Sequence, residues 1–102
     1  MITLKMAREM AERSAELTFS NLVSERPIYW LRDEVIGEKN CWLFLKSKDL
    51  KFRDEAARAW AAWAIVISKR GKEIAVADHY EYPVSLRQYL AEISDYLEIQ
   101  GE

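Results

Sequence analysis

The sequence predicts an α+β domain: an N-terminal helix, a four-stranded antiparallel meander sheet and a C-terminal helix packed on that sheet. Three observations lead there. Residues 4–22 carry apolar side chains near helical spacing. Between residues 28 and 78, β-branched and aromatic runs alternate with short turns that contain glycine, the pattern of hairpins. After Pro83 the apolar spacing becomes helical again. Short connections make strands that are consecutive in sequence neighbours in space. A chain of 102 residues suffices for one domain around one core.

Thr3 is placed to cap the first helix. Met6, Ala7, Met10, Ser14, Leu17 and Leu22 form its expected apolar side, with Arg8, Glu9, Glu12, Arg13 and Glu16 opposite. Pro27 prevents the helix from continuing. The run IYWL, residues 28–31, opens strand one, which extends to Val35 or Ile36. Residues 37–40, GEKN, form a turn, because glycine and asparagine tolerate positive φ. Strand two covers residues 41–47. The stretch that follows is ambiguous, although Asp54 can cap a short helical turn through DEAARAWA. Strand three is placed at residues 62–68, a KRGK turn with Gly71 in the permissive position follows, and strand four covers residues 73–78. The segment HYEYP is a loop. Ser85 then caps the last helix and Gln88 completes a capping box, ahead of the stripe Leu86, Tyr89, Leu90, Ile93 and Leu97.

The strands are apolar on both sides. Strand two sets Cys41, Leu43 and Leu45 against Trp42 and Phe44; strand three sets Trp63, Ile65 and Ile67 against Ala62, Ala64 and Val66. An antiparallel sheet with one wet face alternates apolar and polar residues instead. Two arrangements stay open. With both helices on one face, the bare face exposes aromatics of about 150–250 Å² each, beyond the largest patch of an ordinary monomer. With the helices on opposite faces, or the sheet curled around the last helix, the monomer covers itself.

Half of the residues are hydrophobic and 31% charged, a folded globular composition. The net charge of −2 gives no general attraction to nucleic acid. The charges are segregated, however. Residues 46–72 hold eight basic and three acidic side chains, whereas residues 73–102 hold one basic and seven acidic. The longest apolar run, residues 59–67, is nine residues, short of the ~20 that span a bilayer. The N-terminus lacks the apolar block of a signal peptide. A soluble, cytoplasmic protein is therefore expected.

Catalytic signatures are scarce. His79 and Cys41 are the sole histidine and cysteine, which excludes a two-histidine zinc motif and any disulfide within the chain. The three glycines are too scattered for a phosphate loop. A Cys41–His79 dyad is set against a Cys41 that opens an apolar strand as a small hydrophobe. Asp33 and Glu34, adjacent on a strand, are expected to point to opposite faces. No catalytic residue, metal or other cofactor is assigned.

The segment DEAARAWAAWAIVISKRGKEIAVAD, followed by PVSLRQYLAEI, resembles the YrhB-type domain and related immunity proteins of bacterial polymorphic-toxin systems. The matching pieces are Trp42-Leu43-Phe44, the hairpin of residues 65–74 and Tyr89-Leu90. The family often carries Asp where this chain has Ser68. The resemblance implies a non-enzymatic inhibitor that binds a cognate toxin, and it carries no catalytic residues. The expected partner surface joins accessible aromatics to acids: Trp30, Trp60, Asp78, His79, Tyr80, Glu81 and Tyr82. A homo-oligomer that buries an apolar sheet face is the alternative, and a pocket enzyme or ligand binder is a third. Neither a membrane nor nucleic acid is an expected partner.

Overall fold

A computed structural model of the chain describes residues 1–61, 64–76 and 83–101, without the side chains of Trp60, Val76 and residues 83–86. The order is α1 (Leu4–Phe19), β1 (Leu31–Gly37), β2 (Cys41–Lys46), α2 (Glu55–Trp60), β3 (Ala64–Ser68), β4 (Glu73–Val76) and α3 (Pro83–Gln100). The strands form one antiparallel sheet in the order β1-β2-β3-β4. This is the α+β meander that the sequence predicts.

Local chemistry sets the element ends. The Thr3 hydroxyl accepts the Met6 N–H at 3.1 Å and starts α1. Asp54 does the same for α2 through the Ala57 N–H at 2.7 Å. Gly71 takes φ +98° in the β3–β4 turn. The buried Ser68 hydroxyl ties that turn by accepting the Lys72 and Arg70 N–H groups at 2.8 and 3.3 Å. The expected cap of the last helix is displaced. α3 already contains Ser85, because Pro83 occupies its first turn, where a missing N–H costs nothing and φ is pre-set.

Helices α1 and α3 lie on opposite faces of the sheet. Ala7, Ala11, Ala15 and Phe19 of α1 share a core with Phe44, Ile65 and Ile67. Leu90 and Leu97 of α3 share the other core with Cys41, Leu43, Leu45, Ala64 and Val66. Both parities of β2 and β3 are thus buried within one chain, which removes the bare sheet face. Helix α3 is also fastened by polar contacts. Asn40 donates its backbone N–H to the Ser94 hydroxyl and its amide to the Ser94 carbonyl, both at 2.9 Å, and Lys39 reaches Glu98 at 2.7 Å.

The buried side of α1 keeps the expected Ala7 and the half-buried Met10, but otherwise differs from expectation. Met6 is 48% and Leu17 75% exposed, while three alanines four residues apart are fully buried. Alanine has no side chain beyond Cβ, so this face lets the helix axis approach a sheet already filled by Phe44, Ile65 and Ile67. Replacing Ala11 by Leu is expected to overpack this contact and cost about 1–3 kcal/mol. A lowered urea midpoint would report it, whereas an unchanged midpoint would place the helix farther from the sheet.

Candidate functional site

After α1 the chain forms a loop that is pinned at two points. At the first, Val23 bridges Phe52 in antiparallel fashion. The Ser24 N–H and hydroxyl both donate to the Lys51 carbonyl, at 2.7 and 3.1 Å, and the Arg53 N–H donates to the Leu22 carbonyl at 2.9 Å. At the second, Trp30 turns inward. Its ring packs 6.4 Å from that of Phe19, and the Arg26 guanidinium lies 5.9 Å from its centroid. Its backbone N–H donates to Glu12 at 3.3 Å, and its carbonyl accepts the Ser47 N–H at 2.9 Å.

Between the pins, residues 25–29 stand out from the body. Ile28 is 90% and Tyr29 70% exposed. Lys51 pairs with Glu25 at 2.8 Å and Arg26 with Glu16, which braces the base of the loop. The hydrogen bond and then the charge of Lys51 hold the Glu25 carboxyl below its usual range, and Glu25 raises Lys51 in the same way. The expected strand at residues 28–31 therefore begins only at Leu31. Ile28 and Tyr29 have strand-like side chains, but no ladder partner reaches them.

Two clefts flank Tyr29. One, of about 390 Å³, lies against Arg32, Asp33, Glu34 and Lys48; the other, of about 340 Å³, lies against residues 25–28 and Lys51. Tyr29, Ser47 and Asp49 line both. Asp33 and Glu34 both line the first cleft. Between the pairs Leu31↔Lys46 and Val35↔Phe44, β1 holds two residues more than β2, and this bulge breaks the alternation.

The sequence-predicted site residues fare differently. Trp30 is 5% exposed, so its ring anchors the loop from beneath and is not the accessible aromatic expected. Trp60 ends α2 with its side chain outside the described residues, as are Asp78, His79, Tyr80, Glu81 and Tyr82. Of the segregated basic block, Lys51, Arg53 and Arg58 pair with Glu25, Asp54 and Glu55, all outside the acidic C-terminal third. Ile28 and Tyr29 were missed because their β propensity hides a loop. Pro27 beside the polar run Ser24-Glu25-Arg26 was the available signal.

Cys41 is fully buried, and desolvation followed by the charge of Glu38 pushes its thiol up to about 11, against the pull of Ser94 and Lys69. A nucleophilic thiol needs the opposite shift. Among the described residues no cluster of three or more His, Cys, Asp or Glu could hold a metal ion, and no helix is long and apolar enough to cross a membrane. Comparisons with protein-family models, with curated proteins and with solved structures return no match.

The raised thiol has a stability consequence. An unfolded chain releases the Cys41 proton near 9.0, while the folded chain keeps it to about 11. The contribution is complete below pH 9 and is lost as pH climbs from 9 through 11, on the order of 2 kcal/mol in all. Urea midpoints from pH 8 to 11 should fall more steeply for the wild type than for Cys41→Ala; parallel slopes would mean that the thiol is solvated.

Proposed function

We propose that this chain is a non-enzymatic protein-binding module that docks through Ile28 and Tyr29. The observation that carries the proposal is the near-full exposure of two adjacent large apolar side chains on a loop pinned at both ends. Exposed apolar residues are common singly, but an aliphatic and an aromatic side chain raised together form the usual centre of an interface. Pinning matters because ordering a loop on binding consumes affinity; this loop is ordered beforehand by the Lys51, Trp30 and Ser47 contacts. The clefts beside Tyr29 add a polar rim of the kind that surrounds an apolar anchor.

The partner we propose is a toxin that the chain neutralises by occlusion. Its support is the resemblance of the β3–β4 hairpin and the Tyr89-Leu90 helix to immunity proteins. The homo-oligomer alternative depended on a bare apolar sheet face, and α1 and α3 cover both faces.

The test is neutralisation in a growing host. Reading frames beside this gene are expressed alone and together with the chain. One of them should arrest growth and be tolerated when the wild-type chain is present. The double variant Ile28→Asp/Tyr29→Ala should lose that protection, with partner affinity reduced at least about thirtyfold, while its melting temperature stays within a few degrees because both sites are exposed. Full protection by the variant would contradict the docking loop; a neighbourhood without any toxic product would contradict the toxin assignment.

A further inference from the structure

We infer that the outer face of α1 pairs with the same face of a second copy of this chain, in antiparallel register, as a weak and reversible dimer. This contact goes beyond the docking loop and does not rest on it. It is also not the sheet-face dimer set aside above, since both sheet faces stay covered. Ala7, Ala11 and Ala15 of α1 face the sheet, and the helical repeat then turns Met6, Arg13 and Leu17 to the opposite side. Met6 and Leu17 are large apolar residues left in water there, and Arg13 lies exposed between them. Met10, half-buried, closes the gap along one flank. These four residues stand four, three and four positions apart, the alternation that forms the seam of paired helices.

That spacing reads the same from either end, so the face is complementary to itself. Set antiparallel across a two-fold axis, Met6 meets Leu17 of the second copy and Met10 meets its Arg13, and each contact occurs twice. The apolar ends are then covered, and the charged middle brings opposite signs together. Glu9 is exposed one turn before Arg13, on the flank toward which Arg13 leans, and this register puts it beside Arg13 of the second copy. Among the described residues neither Glu9 nor Arg13 makes an ion pair within the chain. A parallel copy would stack Arg13 on Arg13 instead. The outer face of α3 also exposes apolar residues, Tyr96 and Ile99. The acids beside them, Glu92 and Asp95, carry one sign, so charge favours pairing through α1 over pairing through α3. Size sets the strength. The 16 residues of α1 make a strip about 24 Å long and about 10 Å wide. Such a strip falls short of the roughly 1,200 Å² of total buried surface at which stable complexes begin, so a dissociation constant on the order of 100 µM is expected.

Sedimentation of the full chain from about 10 µM to about 1 mM reads this equilibrium. The wild type should pass from monomer to dimer across that range. Leu17→Lys, at an exposed position where the fold tolerates it, should weaken the dimer at least about tenfold. Arg13→Glu and Glu9→Arg each set like charges across the axis and should each weaken it. An equimolar mixture of those two variants should associate more tightly than either alone, because the mixed pair restores opposite charges at both contacts. A wild type that stays monomeric at the highest concentration, a dimer indifferent to Leu17→Lys, or a mixture no tighter than its components would each overturn the inference. Ile28→Asp/Tyr29→Ala should dimerise as the wild type does, which separates this contact from the docking loop. A dimer abolished by that variant would put the interface on the loop and overturn the inference as well.

Discussion

Strands β2 and β3 carry apolar side chains on both faces, and everything else in the fold answers that constraint. Phe44, Ile65 and Ile67 look one way; Leu43, Leu45 and Val66 look the other. Water cannot be left on either side, so each face takes a helix. The two lids are built differently. Helix α1 uses alanines to come close, with Phe19 filling the end of the contact. Helix α3 uses Leu90 and Leu97, and it is tied to the β1–β2 turn by the paired Asn40–Ser94 hydrogen bonds.

Because both faces are spent on the interior, the docking we propose falls to the margins of the sheet. Edge strand β1 is unsuited to pairing with another chain along its bulge. Arg8 occupies two of its carbonyls, and charged side chains project there, a common protection of edges. The loop before β1 is different in kind. Its anchor, Trp30, is buried in the α1-side core, while the two residues preceding it are thrust outward. Core packing and presentation are therefore parts of one arrangement: the same tryptophan that closes the core fixes the height of Ile28 and Tyr29.

Much of the fold was legible in the sequence. The turn glycine Gly71, the caps Thr3 and Asp54 and the parity of β2 and β3 all express local chemistry, and local chemistry prevailed at each; Gly37, expected in the turn, instead ends β1 paired with Trp42 and without positive φ. The misreadings have a common cause: tertiary packing chose between locally equivalent options. Met6 and Leu17 outrank Ala11 and Ala15 in hydrophobicity, yet the alanines face the sheet because only small side chains fit the close approach. Residues 28–29 suit a strand, but the inward turn of Trp30 ends the ladder at Leu31. The bulge at residues 32–34 could not be read from alternation, because its effect is to suspend alternation. The candidate site was the least legible part, since it is assembled from a loop, a bulge and the Ser47–Lys51 connection, none of which has a periodic signal.

The account turns on each chain covering both faces of its own sheet. The direct measurement is a set of methyl and aromatic proton contacts, recorded on a mixture of labelled and unlabelled chains that separates contacts within a molecule from contacts between molecules. Leu90 and Leu97 methyls should touch Leu43 and Val66, and the Ala11 methyl should sit near Ile65 and Ile67, all within one molecule. Contacts from either sheet face to a second chain would contradict the account. They would mean that a partner copy, and not a helix of the same chain, supplies the missing cover.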